Sequence, residues 1–498
     1  MNQTKNLKRT AFFVIGLISF IQFILLLFIS NIKSIGYDDS FQLIANTLPS
    51  LKETLYFLIA GDNNPPLFTF LTLPWTRIAP HGTLWLKMPN ILFVCAATFL
   101  CGVIGYQLKG YWGALFASLF SASSFQAMQR GAQCLRPYGL FYFTSALTLL
   151  LYLKRRENQE DKTHTLLYCG SLILLAYSHY FGVLICIGLF LCDFILFLMK
   201  KIPWTVGLCY LVAAITYLPW IVPFMLNYMS HESTFSWTPV PGVSEYVELY
   251  LAANNNLFQL ILYVFGAVLI LIFLMKSCLK LLSTHKKTDI TPQNYFLFIC
   301  YSVPFFVITT IYIYSKYINP EESLWADRYF VGIMPYFILA MSYSISTIMI
   351  YLLDKITIKH KNVLSHIVFI ILSTYLITIN AVTLFEFEHV VNDLPYEDIA
   401  DFLSQQDDLY EEHVIAVSTN GSQNPVWQYF STQETPIYDK IIGEEEFASD
   451  SDISESITKI YLLNGFTPHD AFQQILSDYY VLQKEYKDIC IQVYTKKE

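Results

Sequence analysis

From Phe12 to Ser30 the chain runs through nineteen residues without a single charge. A helix rises 1.5 Å per residue, so roughly 20 such residues cross the ~30 Å hydrocarbon layer of a bilayer. Further apolar windows lie near 84–107, 111–128, 137–153, 165–180, 182–199, 204–224, 257–275, 295–314, 329–351 and 364–385, which predicts about eleven spans. With 54% hydrophobic and only 14% charged residues over 498 positions, a soluble globular chain is excluded. The expected fold class is an α-helical polytopic membrane protein. The first window is too long for a signal peptide, lacks a small-residue cleavage site and is followed by Asn31-Ile32-Lys33, so it is read as a span.

Charge orients the spans, because cytoplasmic loops collect Lys and Arg. Lys5, Lys8 and Arg9 precede the first span; Lys109 follows the second, Lys154-Arg155-Arg156 the fourth and Lys200-Lys201 the sixth. Lys276, Lys280, Lys286 and Lys287 follow the eighth, and Lys355, Lys359 and Lys361 the tenth. This alternation predicts a cytoplasmic N-terminus and an extracytoplasmic first loop, 31–83.

Residues 1–385 thus form the expected transmembrane domain, and 386–498 are a different kind of chain, acidic at Glu411-Glu412, Glu444-Glu445-Glu446 and Asp450. Helical periodicity at Tyr396–Gln405, around Trp427-Gln428-Tyr429-Phe430 and at Ala471–Tyr480 alternates with β-type runs at 413–418, 459–463 and 489–494. That pattern predicts a small α/β domain, on the outside after an odd number of spans. It carries no Gly-rich phosphate loop or nucleotide fingerprint. The cysteines lie mostly in apolar runs, and Cys490 is alone in the tail, which therefore holds no internal disulfide.

The polar groups outside the basic loops gather at one expected face. They are Asp38, Asp39, Asp62, Asn63 and Asn64 after the first span; Gln126, Gln129, Arg130, Gln133 and Arg136 after the third; His179 and Tyr180 after the fifth; and Lys316, Glu321, Glu322, Asp327 and Arg328 after the ninth. Guanidinium forks bind phosphate bidentately, so carboxylates and arginines converging at a bilayer surface suit an anionic lipid-linked substrate. Each group also has a plainer reading: a solvated aspartate, a snorkelling arginine, a structural histidine in a tight turn, or a Pro65-Pro66 helix start. The joint pattern is what favours a site.

Five motifs in this order resemble the GT-C membrane glycosyltransferases, in particular the protein O-mannosyltransferase and aminoarabinose transferase-like group, glycosyltransferase family 39. They are Tyr37-Asp38-Asp39-Ser40-Phe41, Asn63-Asn64-Pro65-Pro66-Leu67-Phe68, Gln133-Cys134-Leu135-Arg136-Pro137-Tyr138, Ser178-His179-Tyr180-Phe181-Gly182 and Asp327-Arg328-Tyr329-Phe330. The likeness spans about residues 1–350. It departs at Asp39, where many relatives carry Glu, and at Asn64, where some carry Lys or His.

The resemblance implies a GT-C fold and transfer of a sugar from a polyprenyl-phosphate donor to a hydroxyl acceptor (glycolipid, polysaccharide or protein). It implies Asp38 as the catalytic base with Asp39 beside it, and donor contacts from Arg136, Arg328, Tyr138, His179, Tyr180 and Asn64. The chemistry is consistent: an acceptor hydroxyl needs a base, and a departing phosphate gains charge that a fixed guanidinium stabilises. The lipid-phosphate sugar is a substrate, no cofactor is implied, and a divalent metal need not be required. The expected partners are donor, acceptor and bilayer, with no nucleic acid. The alternatives are a lipid-linked sugar transporter or flippase, for which Asp193 is the main mid-span charge, and a polysaccharide polymerase or ligase.

Overall fold

A computed structural model describes residues 2–355 and 395–497, apart from short stretches of which 231–237 and 285–290 are the longest; of 356–394 only scattered positions are described. The long apolar windows are helices: α1 (Asn2–Ile32), α5 (Thr83–Ala122), α6 (Tyr138–Glu157), α7 (Lys162–Ser178), α8 (Tyr180–Leu198), α9 (Thr205–Ser230), α11 (Leu257–Thr284), α12 (Pro292–Ile313) and α13 (Met334–Lys355). Between them lie α2 (Tyr37–Thr47), α3 (Leu51–Phe57), α4 (Leu67–Ile78) and α10 (Val243–Ala253). Among the described residues six helices are long and apolar enough to cross a membrane, or seven if bent α10–α11 is one span. The chain is a multi-pass membrane protein. The expectation of about eleven spans is higher because α5 holds two of them, α6 ends in three basic residues and α7 has 17 residues. The predicted span 364–385 and the 385/386 boundary lie outside the described residues, scattered positions apart.

The two arms of α5 form an antiparallel hairpin. Backbone angles leave the helical region at Lys109 (φ −141°) and Gly110 (φ +62°), and Gly110 supplies the left-handed conformation that other residues resist. The arms then pack through small residues. Thr98 and Ser121 hydroxyls lie 2.8 Å apart. A Cβ on Gly113 would meet the Gly105 carbonyl oxygen at 2.0 Å, and one on Gly105 would meet that of Gly113 at 2.2 Å. Glycines permit such approach where helices meet in a membrane. Gly113→Val is therefore expected to destabilise the fold by at least about 3 kcal/mol, because the obstacle is backbone and cannot rotate away. Thermal unfolding in detergent checks this, and a midpoint lowered by less than about 2 °C would contradict the hairpin packing.

The region 31–83, expected as a loop, is largely helical. Its helices bury polar side chains as well as Leu43, Ala45 and Phe68: Gln42 Nε2 donates to Thr69 Oγ1 (3.0 Å), and Asn46 Nδ2 donates to Thr72 Oγ1 (3.2 Å) and Thr76 Oγ1 (3.0 Å). This ladder joins α2 to α4 and satisfies buried amides that would otherwise be costly.

The tail is the expected α/β domain. It contains α14 (Tyr396–Ser404), β1 (Val414–Ser418), α15 (Asn424–Phe430), β2 (Ile441–Gly443), α16 (Glu444–Ser449), β3 (Lys459–Leu463), α17 (Asp470–Tyr479), β4 (Tyr480–Tyr486) and β5 (Ile491–Lys496). The sheet order is β2-β1-β3-β5-β4, parallel from β2 to β3 and antiparallel beyond. Sequence reading missed β2, which has three residues, and β4, a mostly exposed edge strand. The domain shares a core with the membrane part: Ile35, Leu43, Leu86 and Leu135 pack in one cluster with Tyr396, Ile399, Val426 and Trp427. Polar contacts seal the seam. Thr83 N–H donates to Glu397 Oε2 (3.1 Å), Tyr396 N–H to Ser34 Oγ (3.2 Å), and His81 stacks on Tyr429 (centroids 4.7 Å apart, 1°).

Candidate active site

Three chain segments meet at one end of the bundle. The first is the opening turn of α2 with Asp38 and Asp39; the second is the turn 133–137, between a π-helical turn (Ala127–Ala132) and α6; the third is a 3-10 helix (Asp327–Ile333) leading into α13. Such departures from α geometry are frequent at functional sites.

Asp39 is 3% exposed. Its Oδ2 accepts from Gly36 N (2.9 Å), capping α2, and its Oδ1 accepts from Leu135 N (2.7 Å). The turn is gripped from two other sides as well: Asn90 Nδ2 donates to the carbonyls of Cys134 (2.6 Å) and Arg136 (2.8 Å), and Ser30 Oγ donates to Gln133 Oε1 (3.0 Å). Arg136 is thus fixed through its backbone, and its Nη1 donates to the Asp38 carbonyl (3.2 Å).

Consecutive helical residues point about 100° apart. Asp38 therefore faces outward where Asp39 is buried, and its Oδ2 lies 2.5 Å from Arg328 Nη1, with the two side chains 42% and 21% exposed. A second ion pair stands alongside, Arg130 Nη2 to Asp327 Oδ2 at 3.5 Å; Gln126 Nε2 also reaches that oxygen (3.4 Å), while Asp327 Oδ1 accepts from Arg328 N (2.7 Å). Three guanidiniums and two carboxylates form this rim.

Beneath it lies an aromatic floor. His179, 4% exposed, stacks on Phe141 (4.9 Å, 11°) and is tilted against Tyr138 (5.8 Å) and Tyr329 (5.6 Å). Its Nδ1 accepts from Phe181 N (3.1 Å), so it caps α8, and the neutral ring carries its proton on Nε2. The Arg328 guanidinium lies 5.7 Å from the centre of the Tyr329 ring.

The structure therefore brings together Asp38, Asp39, Arg136, Arg328, Tyr138 and His179. Tyr180 faces elsewhere: its hydroxyl accepts from Trp220 Nε1 (3.3 Å), its ring lies 4.7 Å from Phe224, and it packs with α9. Asn64 is half-buried, just before α4. The acidic partner of the Arg328 guanidinium is Asp38, distant in sequence. Arg130, Asp327, Asn90 and Tyr329 join the cluster without having been singled out for a role. Arg130 and Asp327 were visible as external polar groups, but nothing in sequence marks a pair 197 residues apart.

No family profile and no curated protein sequence matches the chain. Its structure is similar to that of ArnT, an aminoarabinose transferase, from Cupriavidus metallidurans. In complex with undecaprenyl phosphate that protein superposes with a TM-score of 0.55 at 10% identity, over 96% of this chain and 97% of the other. Its apo form gives 0.58 at 8% identity over the same shares. The Archaeoglobus fulgidus oligosaccharyltransferase gives 0.46 at 11% identity, covering 96% of this chain and 73% of that one. The architecture is that of a GT-C membrane protein with a C-terminal domain.

Proposed function

We propose that this GT-C chain is a glycosyltransferase that moves a sugar from a polyprenyl-phosphate carrier to a hydroxyl on an envelope glycolipid, polysaccharide or protein, at the extracytoplasmic face of the plasma membrane. The contact between Asp38 and Arg328 carries this reading: a base and a phosphate-binding cation are held 2.5 Å apart at one end of the bundle. The solved neighbour with undecaprenyl phosphate bound supports a carrier of the same class.

In the resting site each group occupies the other. A donor phosphate arriving at Arg328 competes for the guanidinium and releases the Asp38 carboxylate toward the acceptor. The acceptor oxygen then attacks the anomeric carbon while its proton passes to Asp38; the bond from that carbon to the phosphate oxygen breaks, and its electron pair leaves on the carrier phosphate. Arg328 and Arg136 stabilise the charge that grows there. A single displacement inverts the anomeric centre. Asp39 is a positioning residue in this scheme, both of its oxygens being engaged by backbone N–H groups of α2 and of the turn that holds Arg136. Tyr138 and His179 form the floor under the phosphate. No cofactor is needed beyond the substrates.

The transport reading rests on Asp193, and that residue is closed off: it is 2% exposed and accepts from Arg155 Nη2 (2.9 Å), Tyr152 OH (2.7 Å) and Tyr210 OH (2.8 Å). The decisive assay supplies purified protein with a polyprenyl-phosphate sugar and an extract of envelope acceptors. Acceptor-dependent release of the carrier phosphate is expected, and a protein that moves the donor across vesicles without cleaving it would overturn the proposal. Orientation has its own check. In a cysteine-free background, a cysteine at 450 should label from outside and one at 158 only after permeabilisation; the reverse pattern would invert the topology.

A further inference from the structure

Arg155 and Arg156 lie at the end of α6 remote from the candidate site. Helix α6 starts at Tyr138 beside His179, and 17 to 18 residues at 1.5 Å each carry the two arginines about 26 Å away, close to the opposite face of a bilayer. Both are buried, at 2% and 6% exposure. Arg155 has a partner in Asp193 and lies against the Tyr152 and Tyr168 rings, 4.9 and 4.5 Å from their centres. Asp193 is already filled by three donors. Arg156 lies 5.8 Å from the centre of the Tyr295 ring, and among the described residues no carboxylate pairs with it. Among the described residues, the Nε and Nη1 atoms of both arginines are buried without an acceptor. Two guanidiniums and one carboxylate thus leave one net positive charge, packed among α6, α8 and α12, whose unsatisfied N–H groups are costly unless an anion meets them.

We infer that Arg156, backed by Arg155, binds the phosphate of an anionic phospholipid in the leaflet opposite the Asp38 site. A guanidinium fork matches two phosphate oxygens, and basic sites between helices at the membrane surface take anionic headgroups. Lys154, on the same helical turn, adds positive charge at that end. A lipid is favoured over free phosphate because the arginines sit at bilayer depth, where a headgroup is present at high local concentration. The inference is independent of the sugar-transfer reading.

The test uses the full chain in detergent micelles carrying phosphatidylglycerol, phosphatidylcholine or inorganic phosphate, followed by thermal unfolding and by native mass spectrometry of retained lipid. Wild type is expected to retain phosphatidylglycerol and to unfold several degrees higher with it than with phosphatidylcholine, with no response to inorganic phosphate. Arg156→Gln should weaken phosphatidylglycerol retention at least tenfold, roughly the loss of one charge-assisted bidentate contact. Arg156→Lys should fall between, since it keeps charge without the fork. Equal retention of both lipids by wild type would overturn the inference even if Arg156→Gln failed to fold. Equal retention of phosphatidylglycerol by wild type and Arg156→Gln would do the same, and an equal response to inorganic phosphate would overturn the assignment to a lipid.

Discussion

Asp38→Asn is expected to lower sugar transfer about 10²–10⁴-fold, the range for loss of a general base. The ion pair adds a second expectation. Asn no longer competes with phosphate for Arg328, so donor affinity should rise, though by no more than about fivefold, because a partly exposed pair contributes roughly 0–1 kcal/mol. Reduced turnover with retained or tighter donor binding is a signature that misfolding does not produce. Turnover and donor binding measured on the same purified preparation decide it; normal activity in Asp38→Asn would remove the base from this mechanism.

Arg328→Ala is expected to cost about 10²–10³ in turnover, as removal of one preorganised oxyanion donor does, and to raise the donor KM while leaving the acceptor KM nearly unchanged. Arg328→Lys should recover part of this, since an ammonium keeps the charge but not the fork. Steady-state kinetics with each substrate varied in turn separates the two effects. If Ala at 328 and Ala at 136 both left donor kinetics intact, these arginines would be anchors at the membrane surface.

Apolar runs made the spans legible, and even the hairpin in α5 could be read from the break at Lys109-Gly110 between two apolar windows. The region 31–83 was not legible as helix. Its buried face mixes Gln42, Asn46, Thr69 and Thr72 with Leu43, Ala45 and Phe68, so a reading keyed to apolar periodicity sees only a broken inner face. At the site, sequence marked Asp38, Arg136 and Arg328 as individual residues, because carboxylates and arginines are conspicuous at the ends of apolar runs. It could not pair Asp38 with Arg328 across 290 positions, nor show that Asp39 is satisfied by a backbone N–H 96 positions away. Tyr180 was grouped with His179 as a neighbour in sequence, but the helix begins between them and turns the two rings apart.

The shared core between tail and membrane part bears on how such a protein can be rebuilt. Leu135 has its side chain in the tail's hydrophobic cluster, its N–H on Asp39, and Arg136 as its next residue. A chimera that exchanged the tail at a cut near 386 would set foreign side chains against Ile35, Leu43, Leu86 and Leu135, and the error would pass through one peptide unit into the guanidinium proposed to meet the donor phosphate. Useful grafts would therefore have to carry these four positions with the tail, so the unit of exchange is discontinuous in sequence and includes one wall of the candidate site.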